Sequence, residues 1–128
     1  MIPESIKLSQ REKEQLVQLK RRTKLQNWNV LCRWAFVTSL AEPSVPPDAK
    51  LPSDSSIEMT WKVFGGEHAD LYEALLRQRC RDDGLEGSKD VLARYLRLHI
   101  QRGIGYLFAD RSLQRIGHLA QRAAKPVA

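Results

Sequence analysis

The stretch SIKLSQREKEQLVQLKRRTKLQNWNVLCRWAFVTSLA, residues 5–41, decides the fold, because three different patterns of polar and apolar residues follow one another in it. In SIKLS, residues 5–9, polar and apolar residues alternate, which predicts a short strand with one apolar face. Ser9 and Glu12 then form a capping-box pattern. A helix is therefore predicted to begin there and to end near Arg22.

A second helix is predicted after the turn TKLQ, with Asn27 as its cap, over NWNVLCRWAFVTSLA. Ten of these fifteen residues are apolar, and Arg33 carries the only charge. An amphipathic helix on a small domain does not need to be apolar nearly all round. The pattern predicts a helix that packs on two sides, at a subunit interface. A central helix inside one domain is the alternative.

Strand, helix, turn and helix in this order are typical of a ribbon-helix-helix element, which dimerises through its strand and its second helix. In such an element Ile6 and Leu8 turn inward. Ser5, Lys7 and Ser9 project outward, where a DNA groove can receive them. Because the strand lacks the Arg, Asn or Gln side chains that pair with base edges, phosphate contacts are expected to dominate, with little sequence preference.

The rest of the chain is predicted to add helices and one strand. A connection rich in proline, residues 42–56, is expected to be extended. The predicted elements after it are a strand at 57–64, a helix at 67–82 with Leu71, Ala74, Leu75 and Gln78 on one face, a helix from Ser88 to Arg102 with a bend at Gly103 and Gly105, and a last helix from Ser112 to Ala123.

The expected fold is mainly α. It consists of a ribbon-helix-helix-like N-terminal element, additional helices and one short strand, in an oligomer. The chain, 1–128, is expected to form a single domain divided into the strand-helix-helix element at 1–41, the connection at 42–56 and the strand with helices at 57–128.

The charge of the protein points to an anionic partner. Lys and Arg number 21 against 15 acidic residues, which gives a net charge of +6 and a pI near 9.6. The net charge is +5 over residues 1–41, −5 over residues 42–87 and +6 over residues 88–128. Two basic ends around an acidic middle favour an anion-binding surface, on nucleic acid or on an anionic membrane. Arg111, Arg115, His118 and Arg122 form a second basic stripe on the last predicted helix.

Several classes of protein are disfavoured. No apolar run reaches the roughly 18 residues of a membrane span, and the N-terminus lacks the layout of a signal peptide. The two cysteines, Cys32 and Cys80, form no Cys-x-x-Cys pair, so neither a disulfide nor a zinc site is indicated. A soluble cytoplasmic protein is expected, with no membrane partner.

The sequence indicates no catalytic residue, no metal ligand and no cofactor. Phosphate-binding and dinucleotide-binding glycine motifs are missing. The three histidines are too widely spaced for a metal site on one helix, since they stand at positions His68, His99 and His118. Cys80 lies among arginines that favour a thiolate, although it has no histidine partner. Asp82, Asp83 and Glu86 are acids that can hold a hard cation but also suit a solvated loop.

Five ordered segments, NWNVLCRWAF, SLAEPSVPP, MTWKVFGGE, YEALLRQRC and RLHIQRGIGYL, resemble the DndE family of DNA sulfur modification proteins. The resemblance runs from about Leu8 to about Ala109. It implies a mainly helical component of bacterial DNA phosphorothioation, in which partner proteins replace a non-bridging phosphate oxygen by sulfur. It also implies a tetramer that binds nicked double-stranded DNA through surface lysines, together with the other modification proteins of the system.

The expected DNA-binding residues combine the outward strand lysine with the basic side chains of the first helix. They are Lys7, Lys13, Lys20, Arg21, Arg22 and Lys24. The resemblance implies the lysines of the helix, and the two arginines lie beside them. Two alternatives remain open. The protein is a metal-dependent DNA-nicking enzyme that uses acids such as Asp82 and Asp83, or it is a scaffold whose acidic middle docks the modification enzymes.

Overall fold

The structure is a computed structural model, and it describes residues 5–110. The last predicted helix and its basic stripe lie outside these residues. The elements within them are β1 (Ser5–Lys7), α1 (Gln10–Thr23), α2 (Trp28–Ala41), β2 (Glu58–Thr60), α3 (Trp61–Gly65), a single 3-10 turn (Gly66–His68), α4 (Ala69–Asp82) and α5 (Lys89–Ala109). The prediction of a mainly helical fold is confirmed. Among the described helices, none is long and apolar enough to span a membrane.

The two strands form a small antiparallel sheet within the chain. Ile6 of β1 lies opposite Met59 of β2, and both side chains are buried. The expected partner of β1 was the same strand of a second chain, so the observed pairing differs from that of a ribbon-helix-helix dimer. Ile57 and Met59 bring a matching apolar face to β1, and the Leu8 N–H donates to the Ile57 carbonyl at 3.1 Å.

The first helix forms as its capping residues predict. The Ser9 Oγ accepts the Glu12 N–H at 3.1 Å, and the Glu12 carboxylate accepts the Ser9 N–H at 3.0 Å. Ser9 is therefore buried and caps α1, and the expectation that it projects toward a DNA groove is wrong. The helix ends at Lys24, which adopts the left-handed conformation with φ 64° and turns the chain toward α2.

The second helix is central to the chain and packs mainly against α5. Its inward side consists of Leu31, Cys32, Ala35, Phe36 and Ser39, all buried. This side of α2 therefore fits the alternative prediction, a central helix inside one domain. Its other side leaves apolar side chains half-exposed.

The fifth helix continues through both of its glycines, Gly103 and Gly105, to Ala109, so the predicted end of this helix at Arg102 is wrong. A Cβ atom at Gly103 would overlap the main-chain carbonyl of Ala35 on α2. Glycine at this position lets the backbones of α2 and α5 approach more closely than any side chain permits. Its role is packing, and no turn is formed.

The predicted strand at 57–64 is only half correct. The strand β2 ends at Thr60, whose Oγ1 accepts the Val63 N–H at 3.1 Å and caps the short helix α3. Trp61 and Phe64, three residues apart, are both buried, whereas Val63 is exposed. The cap and the helical spacing of two large aromatic residues therefore outweigh the alternating pattern.

The fourth helix turns a different face to the core from the one predicted. Leu76 and Cys80 are buried, whereas Leu71 and Leu75 are 54% and 38% exposed. Both faces carry apolar residues, so the pattern of α4 alone does not select one. The consequence is an exposed apolar stripe on α4.

Candidate nucleic-acid interface

The C-terminal end of α1 carries Lys20, Arg21, Arg22 and Lys24, which we call the basic corner. Cations at this end of a helix interact favourably with its macrodipole. The left-handed conformation of Lys24 ends the helix there, so the four side chains surround a turn of the chain.

The predicted DNA-binding residues on α1 point in three directions around the helix axis. Successive residues rotate by about 100° around the helix axis, so Lys13 and Lys20, seven residues apart, share one flank of α1. Arg22 lies on the opposite flank, and Arg21 points away from the buried side between them. The basic corner therefore spreads charge around the end of the helix.

The two lysines on the first flank are held by neighbouring side chains. The Lys20 ammonium lies 3.7 Å from the centre of the Trp28 ring, close enough for a cation–π interaction. The Lys13 ammonium donates to the Ser56 Oγ at 2.7 Å. Both keep their charge at the surface, but each is partly ordered by its contact.

Arg22 on the opposite flank joins α1 to the end of α5. Its guanidinium donates to the Phe108 carbonyl at 2.7 Å and lies 5.0 Å from the centre of the Phe108 ring. That carbonyl belongs to the last turn of α5, where main-chain acceptors lack helical partners. Part of the binding capacity of Arg22 is thus used within the fold.

Arg21 and Lys24 are the two exposed members of the basic corner. Neither side chain makes a hydrogen bond or ion pair with another of residues 5–110. Lys7 is also exposed, but it lies on β1 opposite Glu58, at the other end of α1. Since α1 is about 20 Å long, the structure does not bring Lys7 together with the basic corner.

The arginines of α4 and α5 mostly hold the end of α2 and the connection at 42–56 in place. Arg79 donates to the carbonyls of Leu40 at 3.0 Å and Ser44 at 2.7 Å. Arg102 donates to the Ser39 carbonyl at 2.8 Å. The carbonyls of a proline-rich segment lack the regular main-chain N–H partners of a helix or sheet. The prolines of the connection were therefore the sequence signal for these arginine contacts. Much of the positive charge of α5 is therefore used inside the fold.

Arg97 of α5 points into the fold and pairs with an acidic side chain of α1. Its guanidinium lies 3.1 Å from the Glu12 carboxylate, and the two side chains are 12% and 2% exposed. This ion pair joins α1 to α5 beside Cys32. Burial, with the Glu12 carboxylate as a second cause, raises the pKa of the Cys32 thiol to about 12.

His99 lies in the contact between α2 and α5, with its Nδ1 2.8 Å from the Ser39 Oγ. The side chain is buried. Burial lowers the pKa of the imidazole to about 3, and the guanidinium groups of Arg79 and Arg102 act in the same direction. The imidazole is neutral at physiological pH and contributes to the core.

Cys80 and the acids after it do not behave as an activated thiol or as a metal cluster. Burial and the nearby Asp83 raise the pKa of the Cys80 thiol, and Arg77 only partly opposes them. The expectation that neighbouring arginines favour a Cys80 thiolate is therefore wrong. The Asp83 carboxylate accepts from Arg79 at 2.9 Å and from the Tyr95 hydroxyl. Among residues 5–110, no three His, Cys, Asp or Glu side chains are arranged to hold a metal ion.

A comparison with protein families identifies the relationship of this chain. The family model described as DNA sulphur modification protein DndE matches residues 5–115. The chain belongs to the DndE family. The family resemblance predicted from the sequence is confirmed, and with it a place in DNA phosphorothioation.

Two solved structures of DndE proteins share the fold of this chain. A crystal structure of DndE from Escherichia coli B7A, involved in DNA phosphorothioation modification, has a TM-score of 0.70 and 23% sequence identity over 84% of this chain and 98% of the other. A DndE mutant with glycines replaced by lysine, also involved in DNA phosphorothioation, has a TM-score of 0.63 and 22% identity over 83% of this chain and 99% of the other. No curated protein matches the sequence.

Proposed function

We propose that this DndE-family protein is a DNA-binding accessory component of bacterial DNA phosphorothioation. It binds duplex DNA, preferably nicked, through the basic corner, with little sequence specificity, and it catalyses no step itself. It acts in the cytoplasm, beside the other modification proteins of the system. The observation that carries the proposal is the exposure of Arg21 and Lys24, without polar partners among residues 5–110, next to the ordered Lys20.

Phosphate binding suits these side chains better than base reading. Arg21 and Lys24 sit on a helix end and on a turn, from which long cationic side chains reach phosphates in several directions. Lys20, held over the Trp28 ring, loses less side-chain freedom when it binds an anion. Lys13 and Arg22 extend the surface along the two flanks of α1. Lys7 supplies a separate contact near the sheet.

We also propose that the protein assembles as a homo-oligomer, a tetramer, through the outward sides of α2 and α4. Val30, Trp34 and Val37 follow one another at helical spacing on α2 and line an open cleft of about 290 Å³ with Arg33 and Tyr72. The exposed stripe of α4 adds apolar surface nearby. Several basic corners on one assembly bind DNA more tightly than one, because the second contact becomes intramolecular.

The salt dependence of DNA binding tests the proposed surface. We expect Arg21→Ala with Lys24→Ala to flatten the slope of log K against log salt by roughly 0.9 for each phosphate contact that is lost. The matched control is Lys62→Ala with Arg81→Ala, which removes the same charge from exposed positions on α3 and α4. Nicked and intact duplexes of one sequence are compared for both variants.

The proposal predicts a flatter slope for the first variant alone and tighter binding of the nicked duplex by the unaltered protein. An equal loss in both variants would assign binding to net charge instead of the basic corner. Equal affinity for nicked and intact DNA would remove the preference for nicks. Conversion of supercoiled plasmid to open circles by the purified protein with Mg²⁺ or Mn²⁺ would make it an enzyme.

A further inference from the structure

An open groove of about 600 Å³ lies between α1, the connection at 42–56 and α5. The side chains that matter for its chemistry are Arg11, Gln15, Pro46, Lys50, Gln101 and Tyr106. None of these belongs to the basic corner. We call this site the α1–α5 groove.

The groove is aligned with the basic corner because α1 and α5 run parallel. Arg97 contacts Glu12 near the start of α1, and Phe108 contacts Arg22 near its end. Arg11 and Arg22 lie on the same flank of α1, eleven residues and about 16 Å apart. A polymer that leaves the basic corner at Arg22 can therefore follow this flank into the groove.

The groove combines a ring with cations. Tyr106 is 36% exposed and offers an aromatic surface. Arg11 and Lys50 are exposed, and their cationic groups have no hydrogen bond or ion pair with another of residues 5–110. The acidic side chain at the groove, Glu12, is 2% exposed and paired with Arg97. An anionic ligand with planar groups fits this environment.

Gly105 keeps the floor of the groove open. A Cβ atom there would have no heavy atom of another element within 4 Å, in contrast to one at Gly103. Glycine weakens the interior of a helix relative to alanine, so packing gives no reason for it at this position. Its effect is to leave space beside the neighbouring Tyr106.

We propose that the α1–α5 groove binds an unpaired DNA strand that continues from a duplex held at the basic corner. Bases stack on Tyr106, and phosphates contact Arg11 and Lys50. Aromatic rings with flanking cations are the means by which proteins hold single strands without reading their sequence. The inference rests on the proposed function for the position of the duplex.

The test compares an intact duplex with the same duplex carrying a nick and a short single-stranded thymidine flap. Tyr106→Ala removes the ring, and Tyr106→Phe keeps it. Gly105→Leu fills the floor of the groove while favouring the helix. Circular dichroism and thermal unfolding verify that each variant is folded.

We expect Tyr106→Ala and Gly105→Leu to lower the affinity for the flapped duplex by about 5- to 140-fold, the range for loss of one stacked base. Their affinity for intact duplex should be unchanged, and Tyr106→Phe should match the unaltered protein on both DNAs. Equal losses on both DNAs, or no loss on the flapped duplex, would overturn the groove proposal. Unaltered protein that binds neither DNA would refute the proposed function as well. Equal affinity for both DNAs would refute the groove and the preference for nicks, but it would leave duplex binding at the basic corner standing.

Discussion

Gly103 of α5 lies directly against the main-chain carbonyl of Ala35 on α2, with no space for a Cβ atom between them. The contact joins the two helices that form the centre of the chain. Because the obstacle is backbone, it cannot move aside as a flexible side chain does. The closeness of α2 and α5 therefore depends on this one glycine.

Gly103→Ala is expected to lower the free energy of unfolding by at least about 2 kcal/mol, the scale of overpacking in a core. The matched control is Gly105→Ala, two residues along the same helix, where the added Cβ meets open space. That control should raise stability by about 0.5–1 kcal/mol, since alanine favours helix. Urea denaturation measures both, and equal effects would contradict the close approach of the two helices.

Much of the N-terminal element could be predicted from local signals. The Ser9 and Glu12 pair defines the start of α1, and the apolar run after Asn27 defines α2, because caps and periodicity act within a few residues. The partner of β1, the inward face of α4 and the role of Gly103 depend on contacts between distant segments. A single sequence does not specify such contacts.

In the candidate site, too, local features could be predicted and contacts between distant segments could not. The basic residues of α1 were predicted, but their separation onto two flanks follows from the helix register together with the positions of Trp28 and Phe108. The α1–α5 groove was missed because its walls come from three separate segments. Gly105 was the available signal, since it stands in a helix without a packing partner.

Stability should fall as the pH is lowered, because His99 resists protonation in the fold. Its pKa is lowered from 6.5 to about 3 by burial and by Arg79 and Arg102, with the Asp83 carboxylate opposing them. Between these values the unfolded chain binds a proton that the folded chain does not, so the free energy of unfolding decreases by at most about 1.4 kcal/mol per pH unit. Above pH 6.5 the His99 side chain is unprotonated in both the folded and the unfolded chain. It then contributes nothing to the slope of the free energy of unfolding against pH.

Urea denaturation at several pH values measures this dependence. His99→Gln should reduce the slope of unfolding free energy against pH in that window. His68→Gln, which changes an exposed histidine just before α4, serves as the control and should preserve the slope. An unaltered slope in His99→Gln would assign the pH dependence to other groups.

The two thiols should be unreactive in the folded protein. Both Cys32 and Cys80 are buried, and burial raises the pKa of each thiol. Since the thiolate is the nucleophile, iodoacetamide at mildly alkaline pH should label neither cysteine until urea unfolds the chain. Mass spectrometry counts the labels. Rapid labelling of native protein that disappears in Cys80→Ser would restore the expectation of an arginine-activated thiolate.

The proposed assembly surface can be tested at positions where a substitution does not disturb the core. Leu71 and Leu75 are exposed on α4, so changing both to Glu should leave the folded chain stable while placing charge in an apolar interface. We expect the mass measured by light scattering to fall from that of an oligomer to that of a monomer. Val45→Glu, at an exposed position in the connection at 42–56, should leave the mass unchanged.

DNA binding by the dissociated variant connects the assembly to the proposed function. A monomer presents one basic corner, so its affinity for a long duplex should be lower and its salt slope flatter than those of the oligomer. The difference should disappear on a duplex too short to reach two corners, because the oligomer then also uses one. If the variant retains the mass of the oligomer, the interface lies elsewhere on the chain. If it becomes a monomer with the same slope on long DNA, a single corner carries the whole phosphate contact.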